Sequence, residues 1–225
     1  MKLTYLSHSC FTLETGNTKL IIDPFLSGNP KATAKPEEIE CDYILVTHGH
    51  EDHLGDAVAI AKRTGATVVA NNELATYLGQ KEGIQYHPMN HGGAWQFPFG
   101  RVKMTLAFHG SCISTENGPL YLGNPAGFLI TAEGKTIYHA GDTALFLDMK
   151  LIGELDTIDV ALLPIGDNFT MGPEDAARAV EYLNAKLAIP MHYGTFGLID
   201  VDPQRFVDRV GADAKVMAVG ETIEI

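Results

Sequence analysis

Residues 43–53 read Tyr-Ile-Leu-Val-Thr-His-Gly-His-Glu-Asp-His, a short apolar run followed at once by three histidines and an aspartate. Tyr43 to Val46 has the composition of a buried strand, and Thr47 to His53 forms the loop leaving its C-terminal end, where α/β folds place their sites. In an extended loop, residues two apart face the same way, which lets His48 and His50 close on one ion from one side. Asp52 and His53 fall where the chain turns into the following helix and face a second ion. Neutral imidazole and carboxylate suit zinc and other borderline divalent metals, and the lack of any thiolate argues against a structural zinc-finger site.

Working outward, Leu3 to Leu6, Cys10 to Glu14 and Lys19 to Asp23 are expected as an antiparallel start, with a turn at Thr15–Thr18. Phe25 to Glu40, rich in Pro, Lys and Glu, reads as a loop over one edge that covers the mouth of the site. A helix is expected over Gly55–Thr64, a strand over Thr67–Ala70 and a short helix over Asn72–Leu78, stopped at Gly79. His87 and His91 then lie in a polar loop and are taken as non-ligands. Arg101 to Phe108 alternates as a strand and delivers His109, while Phe128–Thr131 and Thr136–His139 form a hairpin whose exit carries Gly141-Asp142-Thr143. Val160 to Pro164 is a buried strand, Pro173 to Asn184 an amphipathic helix, and Leu187 to Met191 a strand ending at His192. A helix near Pro203–Val210 and strands over Val216–Val219 and Thr222–Glu224 complete the chain. No linker divides this order, so residues 1–225 are expected as one α/β (α+β) domain, a four-layer αββα sandwich of two mixed sheets.

His109, Asp142 and His192 thus each follow an expected strand, as His48 to His53 do. His-x-His-x-Asp-His at 48–53 resembles the signature of the metallo-β-lactamase superfamily, and Phe108-His109-Gly110, Gly141-Asp142-Thr143 and Met191-His192-Tyr193-Gly194 resemble its later motifs in the right order. More narrowly, Ser7-His8-Ser9-Cys10-Phe11, Ile22-Asp23-Pro24-Phe25 and Thr170-Met171-Gly172-Pro173-Glu174 resemble the bacterial and archaeal metal-dependent hydrolases related to L-ascorbate-6-phosphate lactonase. The phospholipase D that cleaves N-acyl phosphatidylethanolamine is a more distant relative in that comparison. The resemblance implies a dinuclear site at one sheet edge, with His48, His50 and His109 on one ion, Asp52, His53 and His192 on the other, and Asp142 shared. His139 lies one turn before Asp142 and is set aside as a non-ligand. Flavodiiron oxidoreductases share the fold but typically carry Glu where this chain has His50, which disfavours a redox role.

Composition narrows the partners. Hydrophobic residues make up 45% and charged residues 20%, ordinary for a globular protein. A net charge of -12 repels long polyanions, so no nucleic-acid partner is expected. Cys10, Cys41 and Cys112 are odd in number and form no Cys-x-x-Cys pair, which points to reduced thiols in a cytoplasm. No stretch reaches the length of a membrane span, no signal peptide opens the chain, and self-association into a homo-oligomer is compatible with the sequence.

The expected activity is hydrolysis by a metal-bridging hydroxide, with two divalent ions (Zn, Mn or Fe) as cofactors and Asp52 as the group that steers or accepts the water's proton. His8, Tyr193 and Thr195 are the candidate substrate-binding residues. A small-molecule lactone, ester or amide is favoured, with a phosphodiester as the alternative. The reason is that segments 47–53, 109–112, 140–144 and 191–197 contain no Arg or Lys to stabilise a dianionic transition state.

Overall fold

Alternation along single strands decides the layers: Leu20 and Ile22 face one way and Ile21 the other, and the same division splits Leu45 from Ile44 and Val46, and Leu162 from Ala161 and Leu163. The structure is a computed structural model that describes all of residues 1–225. Its first half contains β1 (Lys2–Ser7), β2 (Cys10–Thr15), β3 (Thr18–Ile22), β4 (Tyr43–Leu45), α1 (Glu51–Leu54), α2 (Ala57–Thr64), β5 (Thr67–Asn71), α3 (Asn72–Glu82) and β6 (Tyr86–Met89). Next come β7 (Ala94–Phe97), β8 (Gly100–Leu106), β9 (Cys112–Thr115), β10 (Gly118–Tyr121), β11 (Ala126–Ala132) and β12 (Lys135–His139). The chain finishes with α4 (Asp148–Leu155), β13 (Val160–Pro164), α5 (Pro173–Leu183), β14 (Leu187–Met191), α6 (Gln204–Val210) and β15 (Thr222–Glu224).

One sheet has the order β15-β1-β2-β3-β4-β5-β6 and the other β14-β13-β12-β11-β8-β7, with β9 and β10 paired only to each other. The central core lies between the sheets, where Leu3, Phe11, Leu20 and Leu45 meet Val102, Phe128, Ile137 and Leu162. Helices α2 and α3 cover the outer face of the first sheet through Ile60, Leu74 and Leu78. Helices α4, α5 and α6 cover the second through Met149, Ala179, Leu183 and Phe206. The four-layer αββα arrangement expected from the sequence is the one that forms, because each sheet has apolar residues on both faces and must bury both.

Strand direction then sets the site. β3 and β4 run parallel, as do β12, β13 and β14. β8 is antiparallel to β11, which is antiparallel to β12, so β8 points the same way as β12. All these strands therefore release their chains at common sheet edges, and the loops that leave them meet.

Several local expectations change. α3 does not stop at Gly79 but runs on to Glu82 and ends at Gly83, whose φ of +69° makes the left-handed cap. Gly79 is a packing glycine, since a Cβ there would strike the Tyr86 ring. His87 stands on β6 against Trp95 and Phe97 rather than in a loop. Val216–Val219 is not a strand: Lys215 N donates to Ala188 O on one sheet edge and Gly220 N to Tyr5 O on the other. The segment between them crosses from sheet to sheet and buries Met217.

Candidate metal centre

Asp23, Thr47 and His53 fix the floor of the site. β3 leads into Asp23, a fully buried residue at φ +46°, whose Oδ1 accepts Thr47 N at 2.8 Å. Its Oδ2 accepts the Thr47 hydroxyl at 2.7 Å and faces His53 Nδ1 at 2.7 Å. That carboxylate aims His53 Nε2 outward, as the outer partner of a metal-ligating imidazole does. Thr47 Oγ1 also lies 3.0 Å from His48 Nδ1, leaving His48 Nε2 towards His50 Nδ1 at 3.0 Å.

Asp142 stands at the middle. Its Oδ2 is 3.0 Å from His192 Nε2, 3.2 Å from His53 Nε2 and 3.5 Å from His109 Nε2. Two glycines make this approach possible. Gly141 takes a φ of +63°, where a Cβ would strike Ala126 O, and a Cβ on Gly166 would strike His192 O. His139, fully buried, holds the turn into Asp142: its Nε2 lies 2.9 Å from Ser9 O and its Nδ1 accepts Gly141 N. Both ring nitrogens are thereby used within the fold. His87 and His91 stay outside the cluster, His91 Nε2 being occupied by Pro125 O.

The donors collect into three overlapping groups: His48, His50 and His109; His48, His53 and Asp142; and His8, Asp52, His53 and His192. All seven residues singled out in the sequence for ligation are in these groups, together with His8. A pocket of about 220 Å³ opens over them, bounded by His50, Asp52, His109, Asp142, His192 and Phe169. The set fits divalent metal on physical grounds. Asp142 Oδ1, His53 Nε2 and both nitrogens of His192 are buried without a hydrogen bond, and orphaned donors of this kind are costly unless a further partner binds them. Nitrogen and oxygen atoms with no thiolate suit a borderline divalent metal rather than a thiolate cluster.

The electrostatics show how tightly these groups are coupled. Burial, joined by repulsion from His53, holds His48 well below the usual imidazole range, and burial lowers His50 and His109. Burial also opposes charge on His53 and His192, yet Asp142 overrides it, raising His53 well above its ordinary value and His192 to about 9. Burial opposes the charge on Asp52, but the imidazoles of His192, 3.6 Å away, and His8, 3.1 Å away, hold its carboxyl below the normal range.

The three proposed substrate contacts are placed differently. His8 is fully buried, with Nδ1 2.9 Å from Thr195 Oγ1 and Nε2 3.1 Å from Asp52 Oδ2. It lies behind Asp52 rather than on the pocket wall, and burial pushes it down to about 4. Thr195 is buried and spends its hydroxyl on His8. Tyr193 is half-buried against the α5 side of the second sheet. Asp23, Thr47 and Phe169 are what sequence reasoning missed. The signal for Asp23 was present, an acid directly after an apolar strand, as at His48. Lys31, in the loop expected to cover the mouth, extends over Gly194, with Nζ 3.3 Å from where a Cβ would stand.

Comparison with known proteins agrees with this geometry. Residues 2–192 match the β-lactamase superfamily domain, and the UPF0173 metal-dependent hydrolase YtkL of Bacillus subtilis is 58% identical over the whole of both chains. The chain belongs to the UPF0173 metal-dependent hydrolase family, within the metallo-β-lactamase superfamily. Among solved structures, Igni18, a metallo hydrolase from the archaeon Ignicoccus hospitalis, is 39% identical with a TM-score of 0.89, covering 99% of this chain and 97% of its own. An isothiocyanate hydrolase from Delia radicum gut bacteria shares the fold, with a TM-score of 0.80 at 20% identity over 100% of this chain and 99% of its own.

Proposed function

We propose that this member of the family is a dinuclear metal-dependent hydrolase acting on a lactone, ester or amide bond of a small molecule. One observation carries the reading: a buried carboxylate, Asp142, faces imidazoles of both donor sets through one oxygen and leaves the other unpartnered. His48, His50 and His109 would hold one ion, Asp52, His53 and His192 the other, with Asp142 between. Bound divalent ions supply a nucleophile from water at neutral pH and polarise the substrate oxygen.

The chain's own residues do the rest. Asp23 keeps His53 in the tautomer that presents a bare Nε2. Asp52 engages His8 through Oδ2 and lines the pocket, where its carboxylate would take the proton of the attacking water. His8 and Thr195 hold that carboxylate in place from behind. Phe169 narrows the opening and limits entry of bulk water. No helix of the protein is long and apolar enough to cross a membrane. The three unpaired cysteines support a reducing cytoplasm as the setting.

A panel of lactones and aryl esters set beside bis(aryl) phosphodiesters tests the reading. Chelator-sensitive turnover is expected on the acyl substrates at the higher rate. Lys31, whose Nζ lies over Gly194 two residues after His192, supports a second reading, a phosphodiesterase, in which that cation would swing to a phosphoryl oxygen at the site. Faster chelator-sensitive phosphodiester cleavage that falls in Lys31→Ala would put that reading first.

A further inference from the structure

Thirteen large apolar side chains are exposed on this molecule, and five of them share a place in the fold. Phe108, Leu147, Phe169, Phe196 and Leu198 are exposed by 58%, 69%, 51%, 40% and 68%, and all five lie on loops that leave the C-terminal ends of strands at the metal centre. An apolar surface gathered around a polar site marks a ligand groove rather than a plain solvated face. The loops are also tied down. Phe108 N donates to Thr143 Oγ1, its carbonyl accepts Ala144 N, and its ring packs on Phe146 at 5.2 Å. Phe169 sits in a turn closed by Thr170 N to Asp167 O and Asp167 N to Met171 O, and Met171 N in turn bonds Thr143 O.

Phe169 is the one apolar wall of the pocket otherwise bounded by His50, Asp52, His109, Asp142 and His192. On the other side of Asp52 lies a recess of about 620 Å³, bounded by Phe25 and Phe196, whose rings are 6.0 Å apart, and rimmed by Glu51 and Asp56. A bulky anionic group meets acidic side chains there, whereas an uncharged apolar group meets two phenyl faces. We infer that the site takes uncharged substrates with an alkyl or aryl group next to the scissile bond, held against Phe169. This specificity rests on the hydrolase reading above and deepens it.

The experiment has two arms on the metal-loaded protein. In the first, kcat/KM is measured on p-nitrophenyl esters from acetate to octanoate. It is expected to climb by about twofold to fourfold per added methylene over the first few, the range set by partial to full burial of each group. Phe169→Ala is expected to flatten that climb with metal content unchanged, and Phe169→Leu to keep part of it. In the second arm, calorimetry follows binding of straight-chain methyl ketones, which are uncharged and are not cleaved. Ketone affinity that rises with chain length, and loses the rise in Phe169→Ala, upholds the inference even where no ester, lactone or amide turns over, a result that sinks the hydrolase reading alone. Ester cleavage with a flat profile and chain-length-independent ketone binding overturns the inference and leaves the hydrolase reading standing. A flat profile joined to a dimer that Phe169→Ala dissolves in sedimentation also overturns it, assigning the apolar mouth to a second copy of the chain.

Discussion

The two halves of the metal centre are built to different standards. On the inner side, His53 is fully buried and locked by Asp23, while Asp52 is gripped by His8, itself held by Thr195. On the outer side, His48 has Thr47 behind it, but His50 and His109 are only partly buried, and the His50 ring is within hydrogen-bonding distance of His48 alone. Outer partners fix ring orientation before an ion arrives, so on the dinuclear reading the inner half is preorganised and the outer half would be completed by its ion. The inner ion is therefore expected to bind first and leave last.

The largest test removes the member common to both halves. Asp142→Ala should release both ions, and losing several kcal/mol of charge stabilisation should slow turnover on the order of 10³-fold or more. Full occupancy by elemental analysis in that variant would break the comparison outright. Removing an outer ligand comes next. His109→Ala should hold about one ion per chain at stoichiometric metal, since it leaves the outer half His48, His50 and the shared Asp142 against four ligands on the inner side.

Asp23→Asn keeps the shape of the inner floor and removes its charge. It should weaken the inner ion by roughly 10- to 100-fold in chelator competition while the outer step moves less. Equal weakening of both steps would show that the halves are not independent. Thr47→Val is the smallest change, deleting one hydroxyl shared by Asp23 and His48. A net hydrogen bond contributes about 0.5–1.5 kcal/mol, so a shift of roughly twofold to tenfold in metal affinity is expected.

How much of this was legible in sequence depends on where each signal resides. Val160–Pro164 and Leu187–Met191 form over the expected residues, because uninterrupted apolar runs have no other way to be buried. The helix at Pro173 follows its own start signal, with Pro at the first turn and Glu174 and Asp175 beside it. α4 was not expected because its pattern is inverted: Met149 alone is buried, while Leu147, Leu151 and Leu155 face outward. β6 and β7 were hidden by Pro88 and by Gly92-Gly93, and β9–β10 is a hairpin that pairs with no other strand. At the site, imidazoles announce themselves by scarcity, whereas Asp23 does its work through geometry. Its carboxylate reaches His53 across 30 positions of sequence, a distance no local pattern encodes.

One backbone link has a consequence for how the protein is made. His192 N donates to His8 O, and the His8 side chain bonds Thr195 across 187 positions, so the two ends of the site's sequence are stitched together directly. During synthesis a ribosome exposes His48–His53 long before β14 emerges, and the growing chain offers an ion only the fragment that local sequence provides. A nascent chain stalled before Leu187 should therefore bind zinc weakly and release it to a mild chelator, whereas release of the finished chain should convert it to a slow-exchanging form. On that outcome, a firmly held ion would have to wait for the last strand of the second sheet to emerge.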